Sequence, residues 1–428
     1  QRVIPSTYLH PTDHDIFEQG LNAQYYYNIN FKDQALISRL EQEIEFIWND
    51  TTHITGECGD RFSFRWEGYL VPSDNGTYRI GVNGFNEYHL YLDGKLILKH
   101  DFIHHPILKT SEMVMEAGRA YKIRLDFVNR GLDPQVQLLW APPDRDYLSD
   151  ALEVVEKAEV ILVVLGLSPY LESEEMQEVK VEVEGFSGGD RTDIKLPGTQ
   201  LELLKQIHAL GKPVVLVLLN GSALAVNWTV ENVPAIVEAW YPGQAGGEAI
   251  ADVLFGDYNP GGKLPVTFYK SVDNLPSFDD YQLGGHTYQY FQGEPLYPFG
   301  HGLSYTSFEF SNLFISQEQV TSGESVDISM IVTNKGSVAG EEVVQLYTWD
   351  EFNVTPRPLK TLRGFARVLL EPGESKTIKF KLSADHIAFY DRNINLVLEP
   401  GTIHVQIGSS STDIRLKGKI EIVGPGTM

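Results

Sequence analysis

The chain has 428 residues, 42% hydrophobic and 21% charged, a balance that suits about two to four globular domains, each with its own core. Its formal net charge of −24 excludes nucleic acid and anionic membrane surfaces as partners, because both require basic protein surface. Cys58 is the single cysteine, which excludes an intrachain disulfide and a cysteine-built metal cluster, and no apolar run approaches the roughly 20 residues of a membrane span.

Residues 1–147 read as β structure. Short alternating runs, among them RFSFRWEGYL (61–70), GTYRIGV (76–82), YHLYLDGKLIL (88–98), AYKIRLDFVN (120–129) and VQLLWAP (136–142), are separated by turn signals such as Asp74-Asn75-Gly76 and Asp93-Gly94. Strands at this spacing predict a sandwich or barrel. One helical pattern, roughly 34–46, interrupts the opening. The 6 Trp, 21 Tyr and 21 Phe of the chain would serve as stacking platforms for a neutral ligand or as sandwich core, and Trp66 and Trp140 are expected in the core.

Residues 148–270 change character. Helical spacing in ALEVVEKA (151–158) precedes the apolar run VILVVLGL (160–167). The alternation repeats in QLELLKQIHAL (200–210) and PVVLVLLN (213–220), then in AIVEAWYP (235–242) and the glycine-opened GQAGGEAIADVLFG (243–256). Apolar strands alternating with amphipathic helices predict a parallel sheet covered on both faces, of which about three strands are visible. Residues 271–305 are a loop-rich, aromatic linker. Residues 306–428 return to alternating β runs with turns at Pro372-Gly373 and Pro400-Gly401. The chain opens on Gln1 rather than Met and shows no signal peptide, as expected of a processed or truncated product.

The loop after the first apolar strand carries the chemistry. Gly166 ends the strand, and Glu172, Glu174 and Glu175 follow within a few residues. In open α/β sheets ligands gather beyond the carboxyl ends of the strands, and a carboxyl held there among apolar and acidic neighbours keeps its proton near neutral pH and acts as a general acid. The opposing reading is a solvated acidic turn. Gly243, Gly246 and Gly247 lack the spacing of a phosphate loop and read as helix–strand packing. His286 and His301 sit among aromatics without metal-ligand spacing.

Several stretches resemble the C-terminal part of the family-3 glycoside hydrolases. GLSPYLESEE (166–175) followed by GGDRTDIKLPGTQLELL (188–204) is similar to that family's Glu-x-Glu-Gly loop, Asp-Arg pair and Leu-Pro helix entry. AWYPGQAGGEAIADVLFGDYNPGGKLPVTF (239–268), PLYPFGHGLSYTSF (295–308), VTNKGSVAGEEVVQLY (332–347) and LKTLRGFARVLLEPGESKTI (359–378) match further signatures. GLNAQYYYNINF (20–31) and FRWEGYLVPSDNGTYRIGV (64–82) resemble the protective-antigen-like sandwich that some members insert. Calcium-dependent lectins of that type use an Asp-Asp pair where this chain has Asn86 and Glu87, so calcium-dependent sugar binding is not expected.

The resemblance implies a multidomain architecture. A protective-antigen-like β-sandwich spans 1–147, and a partial, mostly parallel α/β sandwich spans 148–270. A linker covers 271–305, and a fibronectin type III-like β-sandwich covers 306–428. The N-terminal (β/α)8 barrel that bears the nucleophile in the family is absent from this chain, which has no eight βα repeats. It further implies a retaining, exo-acting β-glycosidase acting on terminal β-D-glucosyl or β-D-xylosyl residues, with no cofactor or metal.

On this alignment Glu174 is the general acid/base. Glu172 is the alternative register, because Glu175 replaces the family's Gly and the insertion before Asp190-Arg191 is longer. Glu175 and Glu184 share what remains. Tyr170 is assigned to the aglycone side of the pocket, and Asp190-Arg191 to a structural ion pair. Partners are a β-linked oligosaccharide or glycoside and the barrel portion of the same enzyme, with no nucleic acid or membrane, and homo-oligomerisation is left open. Periplasmic, secreted and cytoplasmic locations are all compatible. A rival reading from another class is a carbohydrate-binding module on a structural scaffold.

Overall fold

A computed structural model describes residues 2–13, 18–32, 34–47, 61–101, 107–131, 134–143, 147–169, 171–172, 183–187, 190–351, 357–391, 393–424 and 426–427. The chain falls into two compact units, Gln1–Asp150 and Ala151–Met428. No helix among the described residues is long and apolar enough to cross a membrane.

The first unit holds two antiparallel sheets. The larger runs in the order Ile37–Glu41, Leu21–Tyr26, Phe62–Leu70, Tyr121–Asn129, Glu87–Leu92 and Lys95–His100, with Leu9–His10 added on Phe62–Leu70. The smaller is built on Gln135–Ala141, Gly76–Phe85 and Ile107–Met115. Alternation in the sequence becomes alternation of burial: Phe64, Trp66 and Leu70 of one sheet and Tyr78, Ile80, Val82, Leu138 and Trp140 of the other close one core. Asp93 and Gly94 both take positive φ, as a two-residue hairpin between Leu92 and Lys95 requires.

The helical pattern at 34–46 is not realised; the segment forms the strands Ile37–Glu41 and Glu45–Ile47. Tertiary pairing decides it. Ile37–Glu41 completes the edge beside Leu21–Tyr26, and the buried Glu41 carboxylate accepts hydrogen bonds from the Tyr25 hydroxyl and the Trp66 indole. A helix over these residues would lose all three.

In the second unit three parallel strands, Ile161–Gly166, Val214–Leu219 and Ala235–Glu238, lie in that order. They are called here the first, second and third parallel strands. Helix Gln200–Ala209 buries Leu204 and Ile207 against Ile161, Val163, Leu216 and Leu218. Helix Gly246–Phe255 ends at Gly256, whose φ of 84° closes it in the left-handed region. The expectation of cover on both faces fails at the first strand, where Leu162 and Val164 are each 51% exposed. Ile161 and Val163, on the other face of that strand, are buried with Leu204 and Ile207 of helix Gln200–Ala209.

Beyond the linker a three-stranded sheet (Phe308–Ile315, Ser325–Asn334, Ser375–Ser383) packs with a five-stranded one that contains Gly340–Asp350, Thr361–Leu370, Gly401–Gly408 and Ile414–Ile422. Val326, Ile328, Val332, Val344, Leu346, Val405 and Ile407 fill the space between them. The linker is tied down through Asn259, whose side chain bonds Ala339 O, Ser304 Oγ and the Tyr305 amide.

Candidate functional site

Chemistry-bearing side chains converge at the carboxyl ends of the three parallel strands. The first strand ends on an unusual backbone conformation, and the third is followed by one. Gly166 takes φ 135° and lies so close to the second strand that a Cβ would stand 2.0 Å from Leu219 O. Only glycine fits there. The Gln200 side chain clasps both backbone groups of Gly166, with Nε2 donating to its carbonyl and Oε1 accepting from its amide, each at 2.8 Å. Two residues beyond the third strand stands Trp240, a bulky residue held at φ 55°.

After Gly166 the chain turns tightly. The Leu171 and Glu172 amides both donate to Ser168 O, at 2.9 and 3.1 Å. This turn delivers the Glu172 carboxylate to the end of the second strand. There it accepts hydrogen bonds from the Gly221 amide at 2.8 Å, from the Ser222 hydroxyl and from the Tyr241 hydroxyl. These partners lie 49, 50 and 69 residues further along the chain. Burial and the bond to Glu172 hold the Tyr241 hydroxyl well above the usual phenol range.

Arg191 closes the other side. Its guanidinium donates to Ser222 Oγ at 2.8 Å, Ala223 O at 3.0 Å and Asp193 O at 3.0 Å. Burial pushes it down, and the Glu172 charge partly offsets that. The expected Asp190–Arg191 ion pair is not formed. The two residues are neighbours on one short strand, so their side chains leave on opposite faces, and Asp190 is exposed.

The end of the third strand carries a second carboxyl. Glu238, last residue of the third strand, is pushed up to about 7 by burial, with the Asn220 side chain and the Trp240 amide pulling the other way. Its Oε1 accepts from the Trp240 amide at 3.2 Å, while Oε2 is buried without a partner. Asn220 is fully buried and donates through Nδ2 to Ser222 O at 3.0 Å, and its Oδ1 is also buried without a partner. A half-buried carboxyl titrating near neutrality at a strand end has the attributes of a functional group.

Of the candidates read from the sequence, Glu172 is therefore placed, and placed as an acceptor engaged on three sides. Glu174, Glu175 and Tyr170 lie outside the described residues. Glu184 is exposed in a turn before Phe186. Trp66 and Trp140 are fully buried core residues, and His301 stacks on Tyr297 with its basicity lowered by burial and by Lys263. Asn86 donates to Asn129 Oδ1 at 2.8 Å, and Glu87 accepts from Arg130 at 2.7 Å. Among the described residues no cluster of three or more His, Cys, Asp or Glu side chains is arranged to hold a metal ion.

Sequence reasoning passed over Asn220, Gly221, Ser222, Glu238 and Tyr241. A signal for them existed. Asn-Gly-Ser directly follows the apolar run 214–219, and Glu238 directly ends the next one, both positions where α/β sheets put their ligand-binding loops.

Residues 19–305 match the glycosyl hydrolase family 3 C-terminal domain, and residues 342–411 match a fibronectin type III-like domain. The xylan 1,4-beta-xylosidase of Xylanibacter ruminicola is 39% identical over 361 residues, which make up 83% of this chain and 41% of that protein. The periplasmic beta-glucosidase of Salmonella typhimurium is 36% identical over 288 residues, 64% of this chain and 36% of its own length. The crystal structure of a Kluyveromyces marxianus β-glucosidase in complex with glucose has a TM-score of 0.73 at 26% identity, and the match covers 99% of this chain and 52% of that one. The chain thus spans between about a third and a half of the length of these relatives. A family match over most of the chain, joined to this level of identity, leads to one conclusion: the chain belongs to family 3 of the glycosyl hydrolases.

Proposed function

We propose that this chain is the C-terminal portion of a retaining, exo-acting β-glycosidase that removes terminal β-D-glucosyl or β-D-xylosyl residues, and that Glu174 is its general acid/base. Retention needs two carboxyl groups about 5–5.5 Å apart. The nucleophile belongs to a (β/α)8 barrel outside this chain and attacks the anomeric carbon while Glu174 protonates the departing glycosidic oxygen. In the second half of the reaction Glu174, now ionised, takes a proton from the water that hydrolyses the glycosyl-enzyme. Tyr170 lines the aglycone side.

The observation that carries this reading is the engagement of Glu172. Its Oε2 accepts from Gly221 and Tyr241 and its Oε1 from Ser222, so three of its roughly four acceptor positions are taken up inside the protein, and the next carboxyl on the same loop is Glu174. The relatives named beta-xylosidase and beta-glucosidase support the substrate class. On the same reading residues 1–147 are a protective-antigen-like sandwich, 148–270 the remainder of an α/β sandwich, and 306–428 a fibronectin type III-like sandwich. The half-exposed Leu162 and Val164 fit a sheet completed by residues outside the chain.

The test is Glu174→Ala in the complete enzyme. Turnover of a substrate with a poor leaving group should fall by about 10²–10⁴-fold. An activated aryl glycoside should suffer less, and added azide should restore turnover and yield a β-glycosyl azide. Unchanged turnover without azide would remove Glu174 from the role.

A further inference from the structure

The hydrogen bonds at the sheet edge form one connected frame. Glu172 bonds Gly221, Ser222 and Tyr241; Ser222 also receives Arg191; Asn220 bonds Ser222 and faces Glu238; Glu238 receives the Trp240 amide. It thereby joins the root of the loop after the first parallel strand to the ends of the second and third. Packing inside the frame is tight. A Cβ on Gly221 would come within 2.7 Å of the Tyr241 ring and 2.9 Å of Glu172 Oε2, so the carboxylate and the phenol leave room for glycine alone.

We propose that Glu172 and Tyr241 form a positioning clamp that fixes the root of the loop bearing Glu174 against the ends of the second and third parallel strands. The proposal rests on the assignment of Glu174 made above. Glu174 follows Glu172 by two positions, so their Cα atoms are never more than about 7 Å apart. A pinned Glu172 therefore bounds how far the Glu174 Cα can lie from the frame. A general acid acts only within hydrogen-bonding reach of the oxygen it protonates, and about 1 Å of misplacement costs about 10²-fold in rate. Three hydrogen bonds from two separate strand ends restrict a carboxylate in all directions, which one bond does not. Arg191 extends the frame to the residues where the same loop returns, since it shares Ser222 Oγ with Glu172.

The experiment compares Glu172→Ala, Glu172→Gln and Tyr241→Phe with Glu174→Ala in the complete enzyme. For a poor leaving group, Glu172→Ala should lower kcat by about 10–100-fold with KM little changed, and should displace the alkaline limb of the pH–rate profile. Azide should leave it unrescued. Glu172→Gln keeps the volume and one acceptor oxygen and should recover part of the loss, and Tyr241→Phe should lose less than Glu172→Ala. In the 428-residue chain carrying Glu172→Ala, amides of residues 166–172 and 190–194 should exchange hydrogen faster. If Glu174→Ala is rescued by azide while kcat, pH profile and exchange are unchanged in Glu172→Ala and Tyr241→Phe, the clamp is wrong and Glu174 stands. If azide rescues Glu172→Ala instead, both assignments fall. If Glu172→Ala does not fold, Tyr241→Phe, which removes one hydroxyl, decides the question by the same kcat and pH readouts.

Discussion

Glu238→Gln should make this chain more stable at alkaline pH and leave it almost unchanged at acid pH. In the folded protein burial raises the Glu238 carboxyl from its ordinary 4.5 to about 7. Between those values the folded state holds a proton that the unfolded state has released, so stability falls as pH rises through the window. The full difference, 2.5 pH units at about 1.4 kcal/mol each, is about 3 kcal/mol. Gln is isosteric and neutral at every pH. Its oxygen keeps the bond from the Trp240 amide. Urea unfolding of both proteins at pH 4.5, 6 and 8 measures the effect, followed in the transition of the second unit so that the two units are not averaged. The variant should gain little at pH 4.5 and about 3 kcal/mol at pH 8. Parallel stability curves, with no growth of the difference between pH 4.5 and 8, would refute the reasoning.

Two further outcomes test the packing. Gly166→Ala should destabilise the second unit by several kcal/mol, since its Cβ would meet Leu219 O at 2.0 Å in a backbone conformation that alanine avoids; thermal unfolding reads the loss, and a change under about 1 kcal/mol would contradict it. Leu162→Ser and Leu204→Ala should differ sharply in the chain alone. The half-exposed Leu162 should cost less than about 1 kcal/mol, against about 2–5 kcal/mol for the fully buried Leu204, and equal losses by denaturant titration would mean that the sheet face is covered.

Much of the fold was legible because its signals are local. Period-2 alternation in RFSFRWEGYL reports burial directly, and the apolar runs at 160–167 and 213–220 become two of the three parallel strands among the described residues. Where local pattern and tertiary pairing disagree, pairing wins, as at 34–46. The site was legible only in outline. The run ending at Gly166 located the loop, but what Glu172 does depends on Gly221, Ser222 and Tyr241, which no spacing near residue 172 announces. The same holds for Glu238, whose proton affinity is set by burial under neighbours from other strands. Reading Asp190-Arg191 as a pair failed for a local reason: adjacent residues on a strand diverge, and Arg191 turns to Ser222 and Ala223.

The clasp of Gln200 on Gly166 has a consequence for how the loop after the first parallel strand can change over evolutionary time. A strand is ordinarily ended by the last bond to its neighbour, whereas here a helix side chain fixes the point of departure. Arg191 fixes the point of return. Between two anchors that do not depend on the loop's own length, insertion is inexpensive, because closure entropy grows only as the logarithm of length. The frame can thus accept new residues between these anchors while the strand ends that hold Glu172 stay where they are.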